Sequence, residues 1–251
     1  MKQKVLDLLE QQEKLNSIIN PAWKNDRSRQ DFIRAMIVES GELLEHTDYK
    51  WWKHGTVDIA QSRMEIVDLW FFYFSLVLLD PATLPSKFNE DKLDFFARMF
   101  IDHSGLEGTP DPSLITKSSK PEWDTKNVQR RTLYFVHSCS QITPNLLSTM
   151  YELAELTTAA GMTFNDMYNM YMGKLILNIF RQENGYKEGT YRKQWHVSSK
   201  RSSDGKSETY TAQSTLEDNQ VLTEIMKRVS DPNLIKEALQ NGYKATTGYS
   251  R

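Results

Sequence analysis

Apolar residues recur every three or four positions over most of the chain, which is the spacing of amphipathic helices. Proline interrupts this pattern after Asn20 and after Asp80, because proline cannot donate the helical backbone hydrogen bond. No segment shows the clean alternation of apolar and polar residues that marks a half-buried strand. The pattern predicts an all-α fold, with helices over residues 5–19, 28–44, 59–79, 87–100, 146–160 and 164–182, and a last one over 222–239 interrupted at Asp231-Pro232.

Two stretches depart from the helical pattern. Residues 105–123 are rich in Gly, Pro, Ser and Thr, which indicates a loop. Residues 198–214 contain almost no apolar side chain, so we expect them to be exposed and flexible. We therefore predict a rigid helical core made of residues 1–80 and 146–251, with residues 81–145 forming a less regular helical and loop insertion that is smaller and mobile.

Composition and charge narrow the class of protein. The net charge of -2 gives no overall field that would attract nucleic acid or an anionic membrane. The most apolar stretch, residues 66–79, is shorter than the ~20 residues of a membrane span and contains Asp68. The single cysteine, Cys139, excludes an internal disulfide framework and fits a reducing cytoplasm. We expect a cytoplasmic protein with neither nucleic acid nor membrane as a partner.

An acidic pair stands inside the most apolar predicted helix. Glu65 and Asp68 are three residues apart, so their side chains share one helix face. Nearly all their neighbours are apolar, which predicts that the helix is buried on most sides. Burying carboxylates without compensation is costly, so a positive group must lie beside them. Helical spacing points Arg63 elsewhere.

A second pair, Glu39 and Glu42, occupies the preceding helix. The short connection between the two helices favours antiparallel neighbours, so the pairs would converge into a cluster of four carboxylates. Such oxygen ligands suit Mg²⁺, which completes its coordination with water and substrate phosphates. The alternative, two pairs on solvated helix faces, is about as well supported by spacing alone. His46 and His54 lie nearby in sequence, but lone histidines are more often loop or core residues than ligands.

A basic face follows in the later part of the chain. Lys174, Asn178 and Arg181 are spaced i, i+4 and i+7, which places them on one face of a helix. This set suits a polyphosphate, because arginine can bind phosphate oxygens bidentately and lysine acts as a point charge. Taken alone, a solvated basic face followed by a glycine-containing loop is the simpler interpretation. Opposite a carboxylate cluster, phosphate binding is the favoured one.

These segments together resemble a known family. VESGELLEH (38–46), KWWK (50–53), EIVDLWFF (65–72) and KLILNIFRQENGYKEGTYRKQW (174–195) are similar to the dimeric dUTPases, within the all-α nucleoside triphosphate pyrophosphatases. Gln12 and Asn16 match a short N-terminal motif, and Glu217-Asp218-Asn219 matches an acidic motif near the family's end, although residues 198–214 interrupt the usual spacing before it. The later motif has its matching residues at Lys174, Asn178, Arg181, Tyr186, Lys187 and Tyr191.

The resemblance implies a helical bundle of the pyrophosphatase type that hydrolyses dUTP, and dUDP as well, to dUMP, which limits uracil in DNA. It implies more than one Mg²⁺ per site, a homodimer, and Glu39, Glu42, Glu65 and Asp68 as the metal ligands. Within this scheme we expect Glu39 to take the proton of the attacking water. Lys174 and Arg181 would then stabilise the transferred charge.

The remaining matching residues would bind the nucleotide. Gln12 and Asn16 would recognise the pyrimidine through their amides. Trp51 or Trp52 would pack on the nucleotide, in the same subunit or its partner; packing in an interface or the core explains these tryptophans equally well. Two other functions stay open: a related pyrophosphatase acting on dCTP or a modified nucleotide, and a non-catalytic helical binding module.

Overall fold

The computed structural model describes residues 1–81, 91–106, 121–141, 145–203 and 206–248, and for His103, residues 197–203 and residues 206–214 it describes the backbone only. The chain divides into two compact units, Met1–Tyr171 and Met172–Arg251. Ten helices and one two-stranded sheet occur in these described ranges. The helices are α1 Lys2–Ile19, α2 Trp23–Asp26, α3 Arg29–Glu45, α4 Ile59–Leu79, α5 Lys92–Ser104, α6 Thr125–Cys139, α7 Leu146–Ala159, α8 Phe164–Glu183, α9 Asp218–Met226 and α10 Pro232–Gly248, and the strands are β1 Gln194–Ser203 and β2 Lys206–Glu217.

The predicted all-α class is confirmed. Helix α4 has the predicted bounds, and α1, α3, α7 and α8 differ from theirs by a few residues. The interrupted last helix is also confirmed as two helices, with Pro232 at the first position of α10, where its missing N–H costs nothing. Across the described residues, no helix is long and apolar enough to cross a bilayer.

Helix α4 forms the centre of the first unit, where it packs against α1, α3 and α7. Trp70 and Tyr73 of this helix are buried, and their polar atoms have hydrogen-bond partners. Trp70 donates its indole N–H to Thr157 Oγ1 at 2.9 Å, and Tyr73 donates its hydroxyl to the Leu146 carbonyl at 2.7 Å. Burial of these large rings stabilises the helix, and the hydrogen bonds fix its rotation.

Helix α3 begins at a well-defined cap. The Ser28 backbone N–H and hydroxyl both donate to Asp31 Oδ2, at 2.8 and 2.9 Å. The backbone N–H of Ser28 is the main cause that lowers the pKa of the Asp31 carboxyl, followed by the Ser28 hydroxyl. The cap satisfies a helix-end donor, so the helix that carries Glu39 and Glu42 starts at a fixed residue.

Helix α6 was not predicted as a separate element. Helix α6 packs on α7. Its buried positions recur at helical spacing and are Val128, Thr132, Phe135 and Cys139. Cys139 is free and buried, and burial raises the pKa of its thiol to about 11. The division into a core and a mobile insertion stays a prediction, because residues 82–90, 107–120 and 142–144 lie outside the described residues.

The second unit contains the main correction to the predicted elements. The stretch 198–214 was expected to be flexible, but residues 198–203 and 206–214 supply most of the backbone of the antiparallel pair β1 and β2. The hairpin packs on α10 through Trp195, whose ring is buried 5.3 Å from that of Tyr243. A Cβ atom at Gly242 would lie 3.2 Å from the Trp195 ring, so α10 approaches this strand through a glycine.

Candidate active site

Three of the four predicted metal ligands come together. Glu39 and Glu42 on α3 and Glu65 on α4 each offer a carboxylate oxygen, and these oxygens lie within 4.8 Å of one another. The two helices pack directly against each other, as the short connection between them predicted. We call these three residues the acidic cluster. Oxygen donors at this spacing fit a hard divalent cation such as Mg²⁺.

Asp68 is not one of the three clustered carboxylates. It lies one turn beyond Glu65 on α4 and is half-buried. Its negative charge adds to burial, the larger cause, in raising the pKa of the Tyr171 hydroxyl. Asp68 therefore stays a predicted ligand, close to the acidic cluster along the helix.

A histidine lies beside the acidic cluster. His46 Nε2 lies 3.5 Å from Glu65 Oε1, and the Glu65 side chain is only 6% exposed. His46 was expected to be a loop or core residue, as lone histidines usually are, but the folded connection between α3 and α4 brings it to Glu65. Arg63 points away as expected, and its Nε donates to the Ala160 carbonyl at 2.9 Å.

The loop between α3 and α4 presents two tryptophans to solvent. Trp51 is 89% exposed and Trp52 is 60% exposed, so the interpretation of these side chains as core residues is wrong. Their rings contact each other edge to face, with centroids 5.5 Å apart. Exposed indoles of this kind are typical of residues that stack on a ligand or enter an interface.

The amides of Gln12 and Asn16 take part in a buried hydrogen-bond network. Gln12 Nε2 donates to Asn16 Oδ1 and to Ser75 Oγ, each at 2.9 Å, and Gln12 Oε1 accepts from the Tyr171 hydroxyl. Asn16 Nδ2 also donates to Ser75 Oγ at 3.0 Å. Gln12 is 2% exposed, whereas Asn16 is half-buried. Asn16 is therefore the more accessible of the two amides, and Ser75 and Tyr171 are supporting residues that sequence analysis missed.

The basic face in the second unit is clasped by an acidic partner. Arg181 donates from Nε and Nη2 to Asp218 Oδ2 and Oδ1, at 2.9 and 2.8 Å. Its Nη1 donates to Asn178 Oδ1 at 3.0 Å. The bidentate edge of the guanidinium, which we expected to bind phosphate, therefore binds the Asp218 carboxylate in this structure.

Lys174 is held by the neighbouring residue of α9. Its ammonium donates to Asn219 Oδ1 at 2.9 Å, and the same oxygen accepts from Arg181 Nη2 at 3.1 Å. Lys174 is 2% exposed, which is rare for a lysine. Asp218 and Asn219 were not among the candidate site residues, although the motif that contains them was visible in the sequence.

The glycine-containing loop after α8 provides a third contact to Asp218. The Tyr191 hydroxyl donates to Asp218 Oδ2 at 2.8 Å. Burial is the main cause that raises the pKa of Tyr191, and the Asp218 charge adds to it. Tyr186 and Lys187 are exposed, and the Tyr186 ring lies 5.9 Å from the Arg181 guanidinium. Tyr191 thus supports the ion pair between Asp218 and Arg181, while Tyr186 and Lys187 remain at the surface.

Comparison with protein families identifies the chain. A family model described as dUTPase matches residues 4–186, which include the acidic cluster, Asp68 and the basic face, and end before Lys187. A comparison with curated proteins gives no match. Because the matched range covers most of the chain, the chain belongs to the dimeric, all-α dUTPase family and is a dUTP diphosphatase.

Proposed function

We propose that this enzyme converts dUTP to dUMP and pyrophosphate, accepts dUDP as well, and depends on Mg²⁺. The observation that carries the proposal is the acidic cluster: Glu39, Glu42 and Glu65 offer oxygens within 4.8 Å of one another in a chain of the dUTPase family. Carboxylates so close together repel each other, and a divalent cation relieves that repulsion.

Burial supports the roles that we propose for the acidic residues. We assign metal binding to the acidic cluster together with Asp68, with more than one Mg²⁺ per site. These residues would hold Mg²⁺, which would supply neutralisation of charge on the phosphates and a lower pKa for the attacking water. Glu39 is half-buried, so it is shielded yet accessible, and we assign it the proton of the attacking water.

The remaining assignments concern the nucleotide. Lys174, Asn178 and Arg181 stabilise the phosphates, together with Tyr186, Lys187 and Tyr191 from the following loop. Asn16, supported by Gln12, contacts the pyrimidine edge. Trp51 and Trp52 pack on the nucleotide, which their exposure supports.

We further propose that the enzyme is a cytoplasmic homodimer. The family supports the homodimer, and so do the surfaces of α3 and α6, which contact each other. Val38 on α3 is 58% exposed and Leu133 on α6 is 61% exposed. Apolar side chains exposed on neighbouring helices favour a protein interface. Sedimentation equilibrium tests the proposal, and a monomer at all concentrations would exclude it.

The activity is tested with a panel of deoxynucleoside triphosphates and dUDP, with Mg²⁺ and with excess chelator. We expect pyrophosphate release from dUTP and phosphate release from dUDP, both abolished by the chelator. Preference for dCTP or a modified nucleotide would replace the proposed substrate while retaining the metal chemistry. Turnover of dUTP in the presence of chelator would refute the assignment of the acidic cluster.

A further inference from the structure

The residues that hold the basic face lie outside the range that matches the family. Asp218 and Asn219 begin α9, beyond the end of the match at residue 186. We propose that these two residues are positioning residues, which fix Arg181 and Lys174 in the arrangement that receives the phosphate chain. The inference rests on the proposed function, since it assumes that both cations bind phosphate.

Asp218 and Arg181 form a bidentate ion pair, which we call the clasp. Two parallel N–H donors meet the two carboxylate oxygens, and the Tyr191 hydroxyl adds a third donor. The Asp218 side chain is 2% exposed and that of Arg181 is 11% exposed. A long arginine side chain normally samples many rotamers, and a ligand would have to order it. The clasp orders Arg181 before any nucleotide arrives.

Asn219 adds a second restraint of a different kind. Its Oδ1 accepts from both Lys174 and Arg181, so one atom fixes the spacing between the two cations. The amide is neutral and therefore holds the lysine without contributing an opposing charge. A carboxylate at this position would place a further negative charge beside the phosphates.

The hairpin explains how α9 reaches the basic face. The register pairs Gln194 with Glu217, so β2 returns the chain to the place where β1 began. The Asp218 backbone N–H then donates to the Lys193 carbonyl at 2.9 Å. Both backbone and side chain of Asp218 are thus tied to the loop that follows α8, which leaves its carboxylate little freedom.

The test compares Asp218→Asn with wild-type enzyme by measuring the affinity for two ligands in Mg²⁺. One is a non-hydrolysable α,β-imido analogue of dUTP, and the other is deoxyuridine, which has no phosphate. Asp218→Asn frees the Arg181 side chain, so the analogue must order it on binding, which should weaken the analogue by about 10-fold. Deoxyuridine should bind as it does to wild type. The control is Glu224→Gln, which neutralises an exposed residue of α9 that pairs with Lys227 and should bind both ligands as wild type does.

A double-mutant cycle distinguishes positioning from a general loss of structure. If Asp218 acts through Arg181, then Asp218→Asn should have no further effect on the analogue in an Arg181→Met background. Persistence of the effect in that background, equal weakening of deoxyuridine, or unchanged analogue affinity would overturn the proposal. If Asp218→Asn does not fold, Asn219→Ala takes its place with the double variant Lys174→Met/Arg181→Met as the background, because Asn219 contacts both cations, and the same outcomes apply.

Failure of this inference is separable from failure of the proposed function. If wild-type enzyme releases pyrophosphate from dUTP and Asp218→Asn binds the analogue normally, then the positioning role is wrong and the activity stands. If wild-type enzyme does not turn over dUTP, the proposed substrate is wrong whatever the variant binds.

Discussion

The acidic cluster of the first unit and the basic face of the second unit differ in how their charges are arranged. In the first unit, three carboxylates of like charge converge from α3 and α4. In the second unit, opposite charges pair, as the Arg181 guanidinium binds the Asp218 carboxylate at 2.8 and 2.9 Å. Like charges in close approach favour binding of a counter-ion, whereas a paired ion bridge is stable without one. The first arrangement therefore gains most from a cation, and the second is held in place by its own ion pair.

The largest expected effect comes from the buried member of the acidic cluster. Glu65→Gln should lower turnover of dUTP by about 100-fold or more, because a neutral amide is a poor Mg²⁺ ligand. It should also abolish the Mg²⁺-dependent rise in melting temperature that binding to the native state produces. Both are measured beside Glu45→Gln, which changes an exposed residue at the end of α3 that pairs with Lys50. Wild-type turnover by Glu65→Gln would remove Glu65 from the site.

Removing the acid from the paired arrangement should destabilise the protein. Asp218→Ala leaves the Arg181 charge mostly buried without its main partner, which costs about 3 kcal/mol of unfolding free energy. Chemical denaturation measures the change. Glu183→Ala breaks the exposed ion pair with Lys236 and should cost less than about 1 kcal/mol of unfolding free energy. Equal losses for the two variants would mean that the buried ion pair contributes no more than the exposed one.

In the absence of metal, removing a carboxylate from the acidic cluster should stabilise the protein instead of destabilising it. Glu42→Gln removes one of three close negative charges at an exposed position, so we expect a melting temperature about 1–2 °C above wild type in chelator. In excess Mg²⁺ the order should reverse, because the wild-type protein binds the ion better. Calorimetry under both conditions makes the comparison, and a lower melting temperature in chelator would show that repulsion is not significant.

The smallest effect concerns the proton of Tyr191. Burial and the Asp218 charge raise its pKa, so the folded state favours the neutral phenol. Stability from this group is complete below the ordinary tyrosine pKa of about 10 and is lost as the pH rises above it. The difference in unfolding free energy between wild type and Tyr191→Phe should therefore shrink between pH 9 and pH 11. A constant difference would mean that Tyr191 has an ordinary pKa.

Sequence reasoning located most of the helices and three members of the acidic cluster because both depend on local signals. Helix α4 could be bounded from its apolar run and from Asp80-Pro81, and Glu39, Glu42 and Glu65 from their spacing on neighbouring helices. The approach of His46 to Glu65 could not be predicted, because it depends on how the connecting loop folds.

The hairpin and its consequence for Asp218 were missed for a different reason. Composition suggested a flexible segment, yet the Asp204-Gly205 dipeptide in the sequence is a strong signal for a two-residue hairpin turn. Asp218 is far from Arg181 along the chain, so the clasp cannot be inferred from spacing unless the hairpin is known. Long-range pairing of backbone strands carries information that helical periodicity does not contain.

The antiparallel register of the hairpin also makes its length independent of the position of its base. Gln194 and Glu217 face each other across the first rung of the ladder, so their separation is set by the hydrogen-bonding distance between strands. Residues can be added or removed in opposing pairs further along the two strands without moving either end. The chain can therefore lengthen or shorten in evolution at this point while Asp218 keeps its place beside Arg181.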